Sequence, residues 1–265
     1  VCSSDLEQTI IDVEGVKIGG KKVVVFAGPC SVENREQIME VAEKIKKAGA
    51  SMIRGGAFKP RTSPKDFQGL GEEGLKLLYE AKEETGLPIV TEIMDARDVG
   101  LLSEYADVLQ VGTRNMQNYT LLKELGKCDK PVLLKRGMWA TMAEFLGAAE
   151  YIMNGGNENV ILCERGIRTF SDYSRNTLDL SIIPAIKDES HLPIVSDPSH
   201  GTGRRSLVLP MSKASIACGA DGLLIETHPD PDRAISDADQ TISLSAFSKL
   251  MEDVRQIAKV VGREL

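Results

Sequence analysis

After Lys22 the apolar residues gather into eight short runs, "KVVVFAG", "SMIRGG", "PIVTEI", "DVLQVG", "PVLLKRG", "NVILCERG", "PIVSDPS" and "DGLLIET". They are apolar at nearly every position rather than at alternate ones, the pattern of parallel strands covered on both faces. Between them lie stretches of helical periodicity, such as "NREQIMEVAEKIKKAG" and "MAEFLGAAEYIMNGG", several closed by glycine as a C-terminal stop. Eight strands alternating with helices predict an α/β fold, a (β/α)8 TIM barrel. A doubly wound open sheet is the alternative that the same pattern permits. In front of the first run, "TIIDVEGVKIGG" predicts a short N-terminal β-hairpin with its turn at Glu14-Gly15. Residues 1–8 show no periodicity and are expected to be a disordered tail or an artefact. No linker or low-complexity segment divides residues 9–265, which are expected to form one catalytic barrel with its hairpin and no regulatory domain.

A barrel of this kind works at the C-terminal ends of its strands. The residues that fall there are Gly28-Pro29-Cys30, Arg54, Glu92, Arg114, Lys135, Arg165, Asp197 with His200, and Glu226. Strand beginnings, by contrast, are mostly Pro, Asp, Lys or Asn. This asymmetry is the main functional signal in the pattern. Arg54, Lys59, Arg61, Arg114, Lys135 and Arg165 are expected to converge on one mouth, although any one of them alone is an ordinary surface cation. Arginine suits bidentate contact with phosphate or carboxylate and lysine supplies a point charge, so two or more anionic groups are implied.

The chain has 265 residues and a net charge of −7, so its overall field does not favour nucleic acid; an anionic ligand requires locally concentrated cations. No apolar run approaches the roughly 20 residues that span a bilayer. Five cysteines without close pairing fit a reducing compartment, and a cytoplasmic protein is expected. Cys30, His200, Glu226 and Asp237 offer a thiolate, an imidazole and two carboxylates, which would suit one divalent metal ion. Their spacing matches no compact zinc motif, and only the barrel geometry brings them together. Glu92 could orient a water or pair with a neighbouring cation. Lys135 could instead act as a Schiff-base nucleophile. "GTGRRS" could present backbone N–H groups to an anion, or serve as a plain turn and helix cap.

The motifs "AGPCSVE", "GGAFKPRTSP", "QVGTRNMQN", "LLKRGM", "LCERGIRTF", "SDPSHGTGRR" and "IETHPDP", in this order, resemble the 3-deoxy-D-arabino-heptulosonate 7-phosphate (DAHP) synthase family, type I β-form. That family is similar to 3-deoxy-D-manno-octulosonate 8-phosphate (KDO8P) synthase, from which "KPRTS" distinguishes it. The resemblance runs from about Lys22 onward. It implies a transferase that condenses phosphoenolpyruvate with erythrose 4-phosphate and water, releasing phosphate at the first step of the shikimate pathway. It implies one divalent metal (manganese, iron, zinc or cobalt) on Cys30, His200, Glu226 and Asp237. Phosphoenolpyruvate would meet Arg54, Lys59, Thr113, Arg114, Lys135 and Arg165, and erythrose 4-phosphate would meet Pro60, Arg61, Thr62 and Asp237. Lys59, Glu92, His200 and Asp237 would be the catalytic groups. A homotetramer is implied, with a separate regulatory partner left open. The enzymatic alternative is a KDO8P synthase using arabinose 5-phosphate.

Overall fold

Glu14 and Gly15 both adopt positive φ, 51° and 86°, the paired left-handed conformation that a two-residue type I′ turn requires. They join β1 (Ile11–Val13) to β2 (Val16–Ile18) in antiparallel register, with Val13 opposite Val16. The structure is a computed structural model that describes residues 7–61 and 63–265. Thr62 and residues 1–6 of the expected tail lie outside the described residues; Glu7 and Gln8 are exposed.

Eight parallel strands follow: β3 (Val24–Gly28), β4 (Met52–Arg54), β5 (Ile89–Ile93), β6 (Val108–Val111), β7 (Val132–Lys135), β8 (Val160–Glu164), β9 (Ile194–Ser196) and β10 (Gly222–His228). Each pairs with the next, and β10 pairs with both β9 and β3, so the sheet closes. All eight predicted runs are barrel strands, and the open-sheet alternative is excluded. One addition was not anticipated: Ile242–Ser243 forms a short β11 beside the end of β10.

The helices pack outside the sheet: α1 (Arg35–Ala48), α2 (Glu72–Thr85), α3 (Val99–Tyr105), α4 (Tyr119–Leu125), α5 (Met142–Met153), α6 (Ile182–Glu189), α7 (Pro198–Thr202), α8 (Arg205–Ala217) and α9 (Leu244–Val260). Local chemistry sets their ends. The Asn34 side chain accepts from Gln37 N to start α1, and Gly49 stops it in the left-handed region. Thr141 and Glu144 form a reciprocal capping box on α5. No helix among the described residues is long and apolar enough to cross a membrane.

Two apolar layers result from the two-residue period of a strand. Val25, Ala27, Ile53, Ile89, Leu109 and their counterparts point outward and bury the helices. Val24, Phe26, Met52, Val90, Val108, Leu133, Ile161, Cys163, Val195 and Leu224 fill the barrel interior, where Ile11, Val13 and Ile18 of the hairpin join them. The hairpin is therefore an apolar plug in the floor of the barrel.

Candidate active site

The site grows out of the interior column by the same period of two. Two residues beyond Met52, Val90, Val108, Leu133, Cys163, Val195 and Leu224 stand Arg54, Glu92, Gln110, Lys135, Arg165, Asp197 and Glu226. The lower interior is apolar and the layer above it is charged. Each of these polar side chains is held by a strand whose next inward residue is locked in the core.

At the β3 and β10 side, one ligand atom each from Cys30, Glu226 and Asp237 lies within 4.8 Å of the others. The Cys30 thiol donates to Asp237 Oδ2 at 3.1 Å. His200, on α7, brings its Nε2 to 3.2 Å from Glu226 Oε1 and 3.9 Å from Asp237 Oδ2. The ring is aimed from behind: Asp197 accepts from His200 N at 2.9 Å and from Nδ1 at 2.7 Å, and it also accepts from Lys135 Nζ at 2.7 Å. A donor on Nδ1 leaves Nε2 as the ring's lone-pair nitrogen, the arrangement found behind metal-bound histidines. Asp237 holds a positive φ of 51°, tolerated by aspartate in a turn, to direct its carboxylate inward.

Electrostatics in the cluster oppose burial. Burial and the neighbouring Glu226 carboxylate push the Cys30 thiol up to about 12, against the pull of Lys59. Burial would also raise Asp237, but the attraction of His200, the Cys30 hydrogen bond and Lys59 hold it below the usual carboxylate range. Asp197 is likewise pushed up by burial yet held well below that range by His200 and Lys135. A soft thiol, an imidazole nitrogen and two carboxylates in contact form a donor set that fits a divalent transition metal.

Beside this cluster opens a cavity of about 240 Å³ walled by Lys59, Arg61, Arg114, Lys135, Arg165 and Arg175, with only Asp66, Glu92 and Asp237 as acids. A local excess of cations in a chain of charge −7 marks an anion site. Among the described residues neither Arg114 nor Arg165 has a carboxylate within salt-bridge distance. Arg114 donates to the Pro60 carbonyl at 3.1 Å, and Arg165 reaches the Gly166 and His200 carbonyls at 3.4 Å and, with the Asn176 amide turned to satisfy its neighbours, the Asn176 side-chain oxygen at 3.1 Å. Lys59, 6% exposed, donates to the Cys30 carbonyl at 2.9 Å and lies 3.1 Å from its sulfur. Arg61 Nε sits 3.6 Å from Asp66.

Five of the six expected mouth cations line the cavity, as do Pro60, Thr113, Glu92, His200 and Asp237. Arg54 does not. It lies beneath the wall, 3% exposed, donating to Glu226 Oε1 at 3.1 Å and to the Pro29 carbonyl at 2.7 Å. Cys30 and Glu226 also lie below the wall. "GTGRRS" belongs elsewhere: Gly203 ends α7, Arg205 opens α8, and the segment lines a separate depression with Tyr173 and Asp232. Sequence reasoning missed Gln110, Arg175 and Gln240. Gln110 follows the strand period and was detectable from it. Arg175 and Gln240 sit in long loops with no periodic signal.

A sequence model of the DAHP synthetase I family matches residues 8–261. The chain is 52% identical over 256 residues to a phospho-2-dehydro-3-deoxyheptonate aldolase of Thermotoga maritima, spanning 97% of this chain and 76% of that protein. The crystal structure of a T. maritima protein of that name superposes with a TM-score of 0.95 at 51% identity, over 97% of this chain and 76% of the other. A truncated form of the T. maritima 3-deoxy-D-arabino-heptulosonate 7-phosphate synthase gives 0.91 at 48% identity, over 97% and 95%. Similarity to a 2-dehydro-3-deoxyphosphooctonate aldolase of Syntrophobacter fumaroxidans is lower, 32% over 268 residues, covering 94% and 92%.

Proposed function

Since this chain belongs to the DAHP synthetase I family, we propose that it joins phosphoenolpyruvate to erythrose 4-phosphate, yielding 3-deoxy-D-arabino-heptulosonate 7-phosphate and inorganic phosphate. The observation that carries this reading is one cavity combining an excess of wall cations with a thiol, imidazole and carboxylate cluster at its base. Two phosphorylated substrates account for the cations. Arg114, Lys135 and Arg165, with Thr113, hold the phosphate of phosphoenolpyruvate, and Lys59 faces its carboxylate with Arg54 behind. Pro60, Arg61 and Thr62 receive the phosphate of erythrose 4-phosphate, so the reacting carbons are aligned before reaction. Cys30, His200, Glu226 and Asp237 hold one divalent ion of iron, manganese, zinc or cobalt type. Lewis acidity toward the aldehyde carbonyl is the chemistry such an ion supplies when bound. Carbon 3 of phosphoenolpyruvate attacks the aldehyde carbon while water, oriented by Glu92, adds at carbon 2. Loss of phosphate from the resulting hemiketal completes the reaction.

In this reading the chain acts at the first step of the shikimate pathway as a cytoplasmic homotetramer. A Schiff-base aldolase on Lys135 is disfavoured because that amine is ion-paired with buried Asp197 at 2.7 Å. The test is phosphate release from phosphoenolpyruvate with erythrose 4-phosphate against arabinose 5-phosphate, with and without chelator. Erythrose 4-phosphate should be preferred, chelator should abolish turnover, and Cys30→Ala should lose both metal and activity. Preference for arabinose 5-phosphate would reassign the acceptor. Chelator-resistant turnover that borohydride traps would replace the metal by Lys135.

A further inference from the structure

Gln240 lies behind the cluster, three residues beyond Asp237, and is 2% exposed. Its Nε2 donates to Glu226 Oε2 at 2.6 Å, and its Oε1 accepts from Arg175 Nη1 at 3.1 Å. These partners fix the amide: a carboxylate only accepts and a guanidinium only donates, so a turned amide would lose both bonds. Arg175 Nη1 also reaches Asp237 Oδ1 at 3.4 Å, and Arg175 stands on the cavity wall. Glu226 thus has its two oxygens divided. Oε1 faces His200 Nε2 at 3.2 Å and Arg54 at 3.1 Å, while Oε2 is taken by Gln240. Rotation about the terminal torsion of a glutamate is otherwise soft.

We propose that Gln240 is a positioning residue of the metal cluster, clamping the Glu226 carboxylate so that one chosen oxygen faces the ion, and tying that orientation to Arg175 on the substrate wall. The inference rests on the reading of Glu226 as a metal ligand. A carboxylate whose second oxygen is held by a donor presents a single, pre-aimed ligand atom; freed, it must be ordered each time an ion binds. The buried amide serves no strand ladder and caps no helix. Its polar contacts run to a cluster carboxylate and to a wall arginine that itself touches a second cluster carboxylate.

The test uses the metal-stripped full chain titrated with cobalt(II) against a competing chelator, with absorption recorded for the thiolate charge-transfer and d–d bands. Gln240→Met keeps the volume and removes both polar contacts. It should raise the cobalt Kd by about 10- to 100-fold and alter the d–d bands in a chain whose circular dichroism shows it folded. Should that variant fail to fold, Gln240→Asn, whose amide stops one methylene short of Glu226, carries the same expectation. Glu226→Ala is the control for the underlying reading. If Glu226→Ala binds cobalt as wild type does, the ligand assignment fails. If Glu226→Ala loses cobalt while a folded Gln240 variant keeps the wild-type Kd and spectrum, the positioning role is overturned.

Discussion

Replacing Gly112 by alanine is expected to disable Glu92 without disturbing the fold. Gly112 follows β6 with φ −67° and ψ 156°, a conformation that alanine adopts freely, so no backbone strain accompanies the change. What alanine cannot find is room. A Cβ built on Gly112 would lie 2.0 Å from Glu92 Oε1 and 3.0 Å from its Cδ. Ordinary contact begins near 3.4 Å, so the carboxylate must retreat by about 1.4 Å, and displacements near 1 Å cost catalysis about 100-fold. That factor corresponds to about 2.7 kcal/mol in the barrier. Steady-state phosphate release should show kcat reduced about 100-fold by Gly112→Ala, with the Michaelis constants of both substrates changed far less. Glu92→Ala supplies the reference. If the glycine acts only through Glu92, the double variant should be no slower than Glu92→Ala alone, since the methyl group then has nothing to displace. Gly112→Ala at wild-type kcat, or effects that multiply fully in the double variant, would refute the reasoning.

Arg165→Ala should raise the Michaelis constant for phosphoenolpyruvate by roughly 1.5–3 kcal/mol in binding terms and that for erythrose 4-phosphate much less; equal effects on both would locate Arg165 elsewhere in the mouth. Truncating buried Lys59 should lower kcat itself, whereas Arg61→Ala should act mainly through the Michaelis constant for erythrose 4-phosphate. With unphosphorylated erythrose as acceptor, Arg61→Ala should match wild type, and equal impairment on both acceptors would contradict phosphate recognition by this loop. For pH, the depressed carboxylate of Asp197 contributes stability that is present above its unfolded value of about 3.9 and lost as pH falls through the lower folded value. Metal-free Asp197→Asn should therefore be less stable than wild type to urea at pH 7, with the gap closing below about pH 4; parallel acid profiles would sink this account.

The barrel was legible because its signals are local and repeated. Both faces of each strand are buried, so the eight runs are apolar at nearly every position, and a charged or metal-capable residue at or just beyond almost every run's end breaks the pattern where the core stops. Glu14-Gly15 announced the hairpin because few residue pairs tolerate two positive φ values in succession. The metal-type cluster was harder to read, since Cys30 and Asp237 are 207 residues apart and meet only when β10 closes against β3. Arg54 shows the limit of position-based reasoning. Its place at a strand end is as expected, but the depth of the side chain depends on Glu226 across the barrel, a partner that no local pattern identifies. Arg175 and Gln240 come from loops whose course is set by contacts made after the strands assemble.

The packed interior makes the barrel a one-ended vessel, with the hairpin as its floor. Ile11, Val13 and Ile18 cap an interior already packed by Val24, Phe26, Met52 and their neighbours, so everything that reaches Lys135 and Arg165 arrives and leaves through the same door. The side chains near the base are almost wholly covered, whereas the Arg61 side chain nearer the door is 22% exposed. Traffic in such a vessel is last in, first out. With the substrates seated as proposed, the three-carbon donor should load before the longer sugar phosphate stands in the doorway, and an unproductive molecule lodged at Arg61 should lock out the donor instead of competing beside it. The order of loading is thus written by a packed interior that offers no second exit, and loosening the hairpin at the far end should leave that order intact, because Val24, Phe26, Met52 and their neighbours still fill the barrel above it.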